Sequence, residues 1–173
     1  MNNSAPVLNN LPLLALLPAD VKDLIVHSFE RVTYPFGAEI VTEGDEADAF
    51  FVLSSGRARV VKRGETGDEL FLNVLRPGDS FGEMGLLRQT TRMATIRASS
   101  DVEVYRLNRA LLQALMHQHP AIRETLELQI KHRDLSNFFR VHSAFRGLPV
   151  EALGFLLGKL ERVTCPPGSI IIR

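Results

Sequence analysis

The sequence lacks the features that mark several large classes of protein. It has a single cysteine, Cys165, so no internal disulfide can form, and a reducing cytosol is the compartment that fits best. No run approaches the ~18 apolar residues of a membrane-spanning helix. Residues 1–10 lack the basic and apolar segments of a signal peptide. We therefore predict a cytoplasmic location, with no membrane span in this stretch of sequence.

Charge and histidine placement exclude further classes. Lys plus Arg and Asp plus Glu both number 20, so the formal net charge is zero and no basic surface for nucleic acid is expected. The 5 histidines do not combine with cysteine or carboxylates at a metal-binding spacing. The sequence contains no P-loop and no Ser-His-Asp or Cys-His arrangement. We predict that the chain is not an enzyme, holds no metal and binds no nucleic acid.

Short β-rich runs separated by glycine turns occupy the region between Val32 and Leu107. This pattern predicts a mainly β fold, a β-roll or jelly roll. The segment Gly64–Asp68 is typical of a hairpin tip. The expected strands are Glu39–Thr42, Phe50–Leu53, Ala58–Lys62, Glu69–Val74, Ala94–Ala98 and Val102–Leu107.

Helical patterns flank the β region on both sides. Residues 11–30 predict an N-terminal helical segment entered at Pro18. Asn108 is placed to cap a helix, and Pro120 opens a longer one with one apolar and one charged side. These C-terminal helices are expected to act as a lid. The apolar stripe of the long helix equally fits simple packing on the sheets or a homodimer, and the sequence leaves these alternatives open.

An ungapped internal repeat indicates the domain organisation. The sequence Glu-Arg-Val-Thr at 30–33 recurs at 161–164, and both copies are followed by proline and glycine at matching positions. We predict a flexible lead-in over residues 1–10, a first domain over 11–139, and the truncated start of a second, similar domain over 140–173.

The segment from Phe81 to Ala98 carries the candidate binding groups. Gly82 and Gly85 permit close backbone approach to a ligand, and a helix starting near Glu83 would aim its free N–H groups at an anion. Arg92 can grip phosphate oxygens, and Glu83 can accept hydrogen bonds from sugar hydroxyls. These groups together suit a ribose phosphate. A surface Arg–Glu ion pair, worth ~0–1 kcal/mol, is the simpler alternative.

Two longer signatures resemble the cyclic-nucleotide-binding superfamily, which includes kinase regulatory subunits, cyclic-nucleotide-gated channels and the bacterial catabolite activator. The first runs from Ile40 to Leu53 and ends at Gly56. The second, from Phe81 to Ala98, is similar to the phosphate-binding cassette of that family, and its Glu83-to-Arg92 spacing resembles that of the kinase regulatory subunits. The resemblance extends over residues 11–139.

The resemblance implies a cyclic nucleotide as regulatory ligand and a role for each matching residue. Glu83 would bind the ribose 2′-hydroxyl and Arg92 the cyclic phosphate, while the base would lie under the helix after Pro120. The residue that covers the base is expected within 133–139. The ligand-binding residues implied in this way are Gly82, Glu83, Met84, Gly85, Arg92, Met93 and Ala94.

Two departures from the family pattern bear on the ligand. Thr91 stands where the family commonly has proline, and Met93 stands where a small residue is usual. Members selective for cyclic GMP often place a hydroxyl at the position of Met93. A thioether has no donor hydrogen, so cyclic AMP is favoured over cyclic GMP, and the bulk of Met93 can also reshape the pocket.

The predicted function is a sensing module that controls an effector domain elsewhere in a longer chain. A ligand-free assembly domain of the same fold is one alternative. A catabolite-activator-type transcription regulator is another, but the residues after Phe139 begin the repeat and show no basic recognition helix. A kinase regulatory subunit or a membrane protein with tandem sensor domains also remains open as the parent chain.

Overall fold

The structure is a computed structural model that describes residues 6–64 and 66–142, with side chains to residue 135. Six single positions beyond this range are also described: Leu148, Ala152, Phe155, Gly158, Lys159 and Pro166. The chain divides into two compact units, residues 1–133 and residues 134–173. The repeat of the ERVT segment lies outside the described residues, so the predicted boundary at residue 139 and the second domain stay predictions.

Two four-stranded antiparallel sheets form the body of the first unit, which confirms the mainly β prediction. Their strand orders are β1-β8-β3-β6 and β2-β7-β4-β5. In the described part of the chain the strands are β1 (Glu30–Tyr34), β2 (Glu39–Val41), β3 (Ala49–Ser55), β4 (Ala58–Arg63), β5 (Glu69–Leu75), β6 (Ser80–Phe81), β7 (Thr95–Ala98) and β8 (Val102–Asn108).

All six expected strands are present, and two further strands were not predicted. β1 was missed because its five residues are exposed or half-buried and show little alternation of apolar and polar side chains. β6 was missed because it has two residues, too few for any pattern. The predicted hairpin tip is confirmed by a backbone hydrogen bond of 2.7 Å from Gly64 N to Asp68 O.

Helices precede and follow the strands in the chain, as expected, and one short helix lies between β6 and β7. They are α1 (Pro6–Asn9), a 3-10 helix (Leu14–Leu16), α2 (Ala19–His27), α3 (Glu83–Arg88), α4 (Arg109–Gln118) and α5 (Pro120–His142). The cap of α4 is confirmed, because the Asn108 side chain accepts a hydrogen bond of 2.9 Å from Leu111 N. No helix among the described residues is both long enough and apolar enough to cross a membrane.

The predicted flexible lead-in needs correction where the structure describes it. Residues 6–9 form α1, and the side chain of Leu8 is 1% exposed in the core beneath the helices. An apolar side chain that is removed from water in this way stabilises the fold by roughly 1.5–3 kcal/mol. The end of the predicted lead-in is therefore part of the packed domain.

Strand β3 joins two hydrophobic cores. Side chains alternate between the faces of a strand, so Phe50 packs against the helices while its neighbour Phe51 lies between the two sheets. Both are almost fully buried. On the helical side, Ile122, Leu126 and Ile130 of α5 are also buried. The apolar stripe of α5 thus packs on the domain, which places this helix beside β6 and α3.

Candidate functional site

The segment between β6 and β7 is built on two glycines that no other residue can replace without strain. Gly82 has φ +86°, and a Cβ at this position would lie 2.6 Å from Arg92 Nη1 and 3.0 Å from the carbonyl oxygen of Ala49. At Gly85, a Cβ would lie 2.7 Å from Ala47 Cβ. The predicted short helix is present as α3, and Gly85 brings it against the turn before β3.

Arg92 is the central cation of this segment and is 5% exposed. Its Nη1 atom donates to the carbonyl oxygens of Ala49, at 2.9 Å, and Gly82, at 3.0 Å. Its Nη2 atom donates to Asp48 Oδ1 at 2.8 Å. The guanidinium also lies 5.5 Å from the centre of the Phe51 ring, within range of a cation–π interaction. Burial lowers the pKa of Arg92, and the bond to Asp48 opposes that shift.

The backbone of Arg92 is held as firmly as its side chain. Its amide donates to the carbonyl of Asp45 at 2.8 Å, and its carbonyl accepts from Gly44 N at 2.9 Å. Both partners belong to the turn between β2 and β3, which is the first of the two family-like signatures. The two signatures therefore form a single structure, in which the turn fixes the arginine of the cassette.

Asp48 has a role that the sequence did not reveal. Its two carboxylate oxygens accept hydrogen bonds from two arginines, Arg92 and Arg106, each at 2.8 Å. Burial acts to raise the pKa of Asp48, but the hydrogen bonds from Arg106 and Arg92 outweigh it and hold the pKa below its ordinary value. In the sequence, Asp48 is marked only by its place in the first signature, Ile40 to Leu53. That signature does not indicate which side chains Asp48 binds.

Glu83 is the anionic group of the site and is 0% exposed. Its Oε1 atom accepts a hydrogen bond of 2.6 Å from Arg133 Nη1, whereas Oε2 is buried without a hydrogen-bond partner among the described residues. A buried acceptor without a donor costs about 1–3 kcal/mol. The Oε2 atom is thus a place where a hydroxyl or amino group of a ligand would be stabilising.

The surface ion pair between Arg92 and Glu83, the simpler alternative, is wrong. Both residues are buried, and Arg92 pairs with the carboxylate of Asp48 while Glu83 pairs with the guanidinium of Arg133. The two residues nevertheless lie side by side, because Arg92 donates to the carbonyl of Gly82, the residue that precedes Glu83. A buried cation and a buried anion therefore meet at one cassette, each with its own internal counter-charge.

Arg133 connects α5 to the cassette. Besides Glu83, it binds the carbonyl oxygen of Ser80 through Nη2 at 2.6 Å. The residue lies within 133–139, the stretch expected to contain the covering residue, but what it contacts in this structure is the cassette. The side chains of residues 136–139 lie outside the described part, so the residue that covers the base stays a prediction.

Replacing Arg133 by glutamine is expected to lower the free energy of unfolding by about 1–3 kcal/mol, because the fully buried carboxylate of Glu83 would lose its charged partner. Urea denaturation followed by circular dichroism measures this change. Arg123→Gln is the matched control, since Arg123 lies on the same helix and pairs with Glu127 one turn away at the surface; that change should stay within about 0.5 kcal/mol. Equal effects of the two substitutions would contradict a link between α5 and the cassette.

The roles of the remaining predicted binding residues stay predictions. Met84, Met93 and Ala94 are half-buried. The thioether of Met93 accepts a contact of 3.4 Å from Arg88 Nη1, at the end of α3. The described residues contain no group of three or more His, Cys, Asp or Glu side chains that could hold a metal ion.

The comparison with family models identifies the region that contains this site. A model described as the cyclic nucleotide-binding domain matches residues 31–119, which is more than half of the chain. The match includes both signatures, all eight strands except the first residue of β1, and the residues Glu83 and Arg92.

Individual proteins are also similar to this chain. A cAMP-dependent protein kinase regulatory subunit of Aspergillus niger is 38% identical over 59% of this chain and 24% of its own length. The cGMP-dependent protein kinase 2 of Rattus norvegicus is 29% identical over 93% of this chain and 19% of its own. The crystal structure of the Thermus thermophilus catabolite activator protein superposes with a TM-score of 0.63 at 34% identity, covering 70% of this chain and 57% of that one. The chain thus matches a minor part of each kinase relative.

Proposed function

Because this chain belongs to the cyclic nucleotide-binding domain family, we propose that it binds cyclic AMP in preference to cyclic GMP and uses that binding to regulate an effector. In this proposal the nucleotide lies between the cassette and α5. Glu83 and Arg92 hold its ribose and its phosphate, and the backbone at Gly82, Met84 and Gly85, together with Met93 and Ala94, lines the site. A cytoplasmic location is part of the same proposal.

The buried Oε2 atom of Glu83 is the observation that carries the proposal. A carboxylate that is 0% exposed and has one oxygen without a hydrogen-bond partner among the described residues needs a donor. The 2′-hydroxyl of a ribose is a neutral donor of suitable size, and it would complete the hydrogen bonding of Glu83 without displacing Arg133. A deoxyribose would leave Oε2 without a donor, so the site distinguishes the two sugars.

Arg92 can supply the complementary contact to a phosphate. An arginine has more N–H groups than are used by the bonds to Ala49, Gly82 and Asp48. The remaining groups can donate to an anionic oxygen, and charge-assisted bonds of this kind are about twice as strong as neutral ones. A singly charged cyclic phosphate therefore fits beside a guanidinium that the protein already holds in place.

Position 93 favours adenine over guanine. Met93 offers a thioether and no hydroxyl, and its sulfur contacts Arg88. A guanine amino group would find no strong acceptor on this side chain. The preference for cyclic AMP rests on this missing acceptor.

Regulation would proceed through α5. Arg133 ties this helix to Glu83 and to the strand end at Ser80, so a ligand that contacts Glu83 also changes the surroundings of Arg133. The ligand would shift the population between two positions of the helix, and it would break no covalent bond. The effector would lie in a longer chain, of which this sequence would be a part; this sequence covers 24% and 19% of the lengths of the two kinase relatives.

Isothermal titration of the protein with cyclic AMP, cyclic GMP and 2′-deoxy cyclic AMP tests the proposal. We expect saturable binding of cyclic AMP, weaker binding of cyclic GMP, and at least about tenfold weaker binding of the deoxy analogue, equivalent to ~1.4 kcal/mol, since Glu83 Oε2 would stay unpartnered. Absence of heat with all three ligands at millimolar concentration would refute the proposal.

A ligand-free assembly domain is the second candidate. Its support is that both charged groups already have internal partners, Asp48 for Arg92 and Arg133 for Glu83. A site whose charges are neutralised in this way can exist as scaffold alone. The titration separates the two candidates, because the scaffold predicts no binding of any cyclic nucleotide.

A further inference from the structure

Four charged side chains form a row from the strand edge into the cassette. Glu30 Oε2 accepts from Arg106 Nη1 at 3.1 Å, Asp48 Oδ2 accepts from Arg106 Nη2 at 2.8 Å, and Asp48 Oδ1 accepts from Arg92 Nη2 at 2.8 Å. Arg106 and Glu30 lie opposite each other in the β1–β8 register. On its other side, Arg106 lies opposite Phe51, whose ring packs against the Arg92 guanidinium.

We infer that Arg106 is a positioning residue for nucleotide binding, which acts by sharing the carboxylate of Asp48 with Arg92. This inference rests on the proposed function. One carboxylate cannot neutralise two guanidinium groups, so Arg92, Asp48 and Arg106 together keep one positive charge. That charge matches the single negative charge of a cyclic phosphate diester.

The differences in exposure among the four groups place the remaining positive charge on Arg92, the most buried of the four. The exposed fraction of the side chain is 4% for Arg92 and 27% for Arg106, whereas it is 58% for Asp48 and 66% for Glu30. Water therefore screens Glu30 strongly, and its contribution to the field at the cassette is small. Because Asp48 lies 2.8 Å from each of the two arginines, its single negative charge is shared and does not fully neutralise Arg92.

Without Arg106, Asp48 would have Arg92 as its remaining charged partner among the described residues. The carboxylate would then hold Arg92 more strongly and place an unshared negative charge beside the incoming phosphate. Both effects oppose nucleotide binding, and the hydrogen bonds described for the Arg106 side chain go to Glu30 and Asp48, neither of which belongs to the cassette. The role assigned to Arg106 is therefore indirect.

A double-mutant cycle on the whole protein tests the inference. Arg106→Ala is expected to weaken cyclic AMP binding by roughly three- to tenfold when Asp48 is present, and by less than about twofold in a protein that also carries Asp48→Asn. Arg106→Lys keeps a cation beside Asp48 and should recover most of the affinity. If Arg106→Ala weakened cyclic AMP binding equally with Asp48 and with Asp48→Asn, the inference would be overturned. Arg106 would then act on the ligand through its own charge and not through Asp48.

Two further substitutions separate positioning from strand stability. Glu30→Gln removes the β1–β8 ion pair but leaves Arg106 on Asp48, so the affinity should stay unchanged or increase slightly. Arg31→Ala removes the neighbouring pair with Glu103 on the same two strands and should leave binding unchanged. A loss in either variant as large as that of Arg106→Ala would overturn the inference in favour of a structural role.

One readout needs no nucleotide. The pKa of Asp48, measured by carbon NMR of its carboxyl group, should rise in Arg106→Ala and stay constant in Arg31→Ala, because the hydrogen bond from Arg106 lowers it. An unchanged value would overturn the inference. Absence of cyclic nucleotide binding by the unaltered protein would instead overturn the proposed function, while this titration would still decide whether Arg106 controls Asp48.

Discussion

Replacing Arg92 by alanine is expected to weaken cyclic AMP binding by about 1.5–3 kcal/mol, or roughly 10- to 150-fold. The guanidinium is the buried cation of the cassette. Its bonds to Ala49, Gly82 and Asp48 hold it beside the position proposed for the phosphate. The substitution removes the charge and leaves Asp48 facing the anion. Isothermal titration measures the loss directly.

Stability must be separated from binding in this experiment. Arg97→Ala is the matched control, since Arg97 forms ion pairs with the carboxylates of Glu39 and Glu69, each at 2.8 Å, but is not one of the predicted ligand-binding residues. The control should bind cyclic AMP like the unaltered protein. If Arg92→Ala binds with unchanged affinity while it remains folded by circular dichroism, Arg92 does not bind the phosphate.

Gly82→Ala is expected to reduce both stability and binding. The φ of +86° is unfavourable for alanine, and the new Cβ would lie 2.6 Å from Arg92 Nη1 and 3.0 Å from a backbone carbonyl. We expect a loss of about 2–4 kcal/mol in the free energy of unfolding, from backbone strain and overpacking together. Because the guanidinium must move to admit the methyl group, nucleotide affinity should fall as well.

Gly37→Ala is the control for Gly82→Ala, because the two glycines have nearly the same positive φ but a Cβ at position 37 would meet no other atom. Gly37 has φ +84°, and a Cβ there would have no heavy atom within 4 Å. The conformational cost of about 1–2 kcal/mol should then appear alone, with unchanged affinity for cyclic AMP. The difference between the two variants measures the steric effect on Arg92. Equal stabilities and equal affinities would show that the site does not depend on the small size of Gly82.

Local patterns were sufficient for most of the secondary structure. Apolar runs between glycine turns predicted six strands within one or two residues, and Asn108 and Pro120 predicted the starts of α4 and α5. These features depend on a few neighbouring residues, so the sequence displays them directly. The predicted lead-in was wrong at residues 6–9 because the burial of Leu8 depends on distant helices.

The candidate site was predicted less completely. Glu83 and Arg92 were named from spacing and family resemblance, and the structure places them side by side, but their roles toward a ligand stay predictions. Their partners were not foreseen. Arg92 binds Asp48 across 44 residues of sequence, and Glu83 binds Arg133 across 50. No periodicity connects positions so far apart.

The sequence by itself determined the kinds of element, the position of the cassette and the two charged residues within it. The tertiary structure alone decided which counter-charges these residues meet, that Glu83 Oε2 is buried with no donor in the part of the chain that the structure describes, and that Arg106 shares Asp48 with Arg92. The physical reason is the distance along the chain over which each kind of interaction acts. Turns, caps and strand patterns arise from steric and hydrogen-bonding preferences over a few residues, whereas burial and charge pairing depend on which strands and helices the fold brings together.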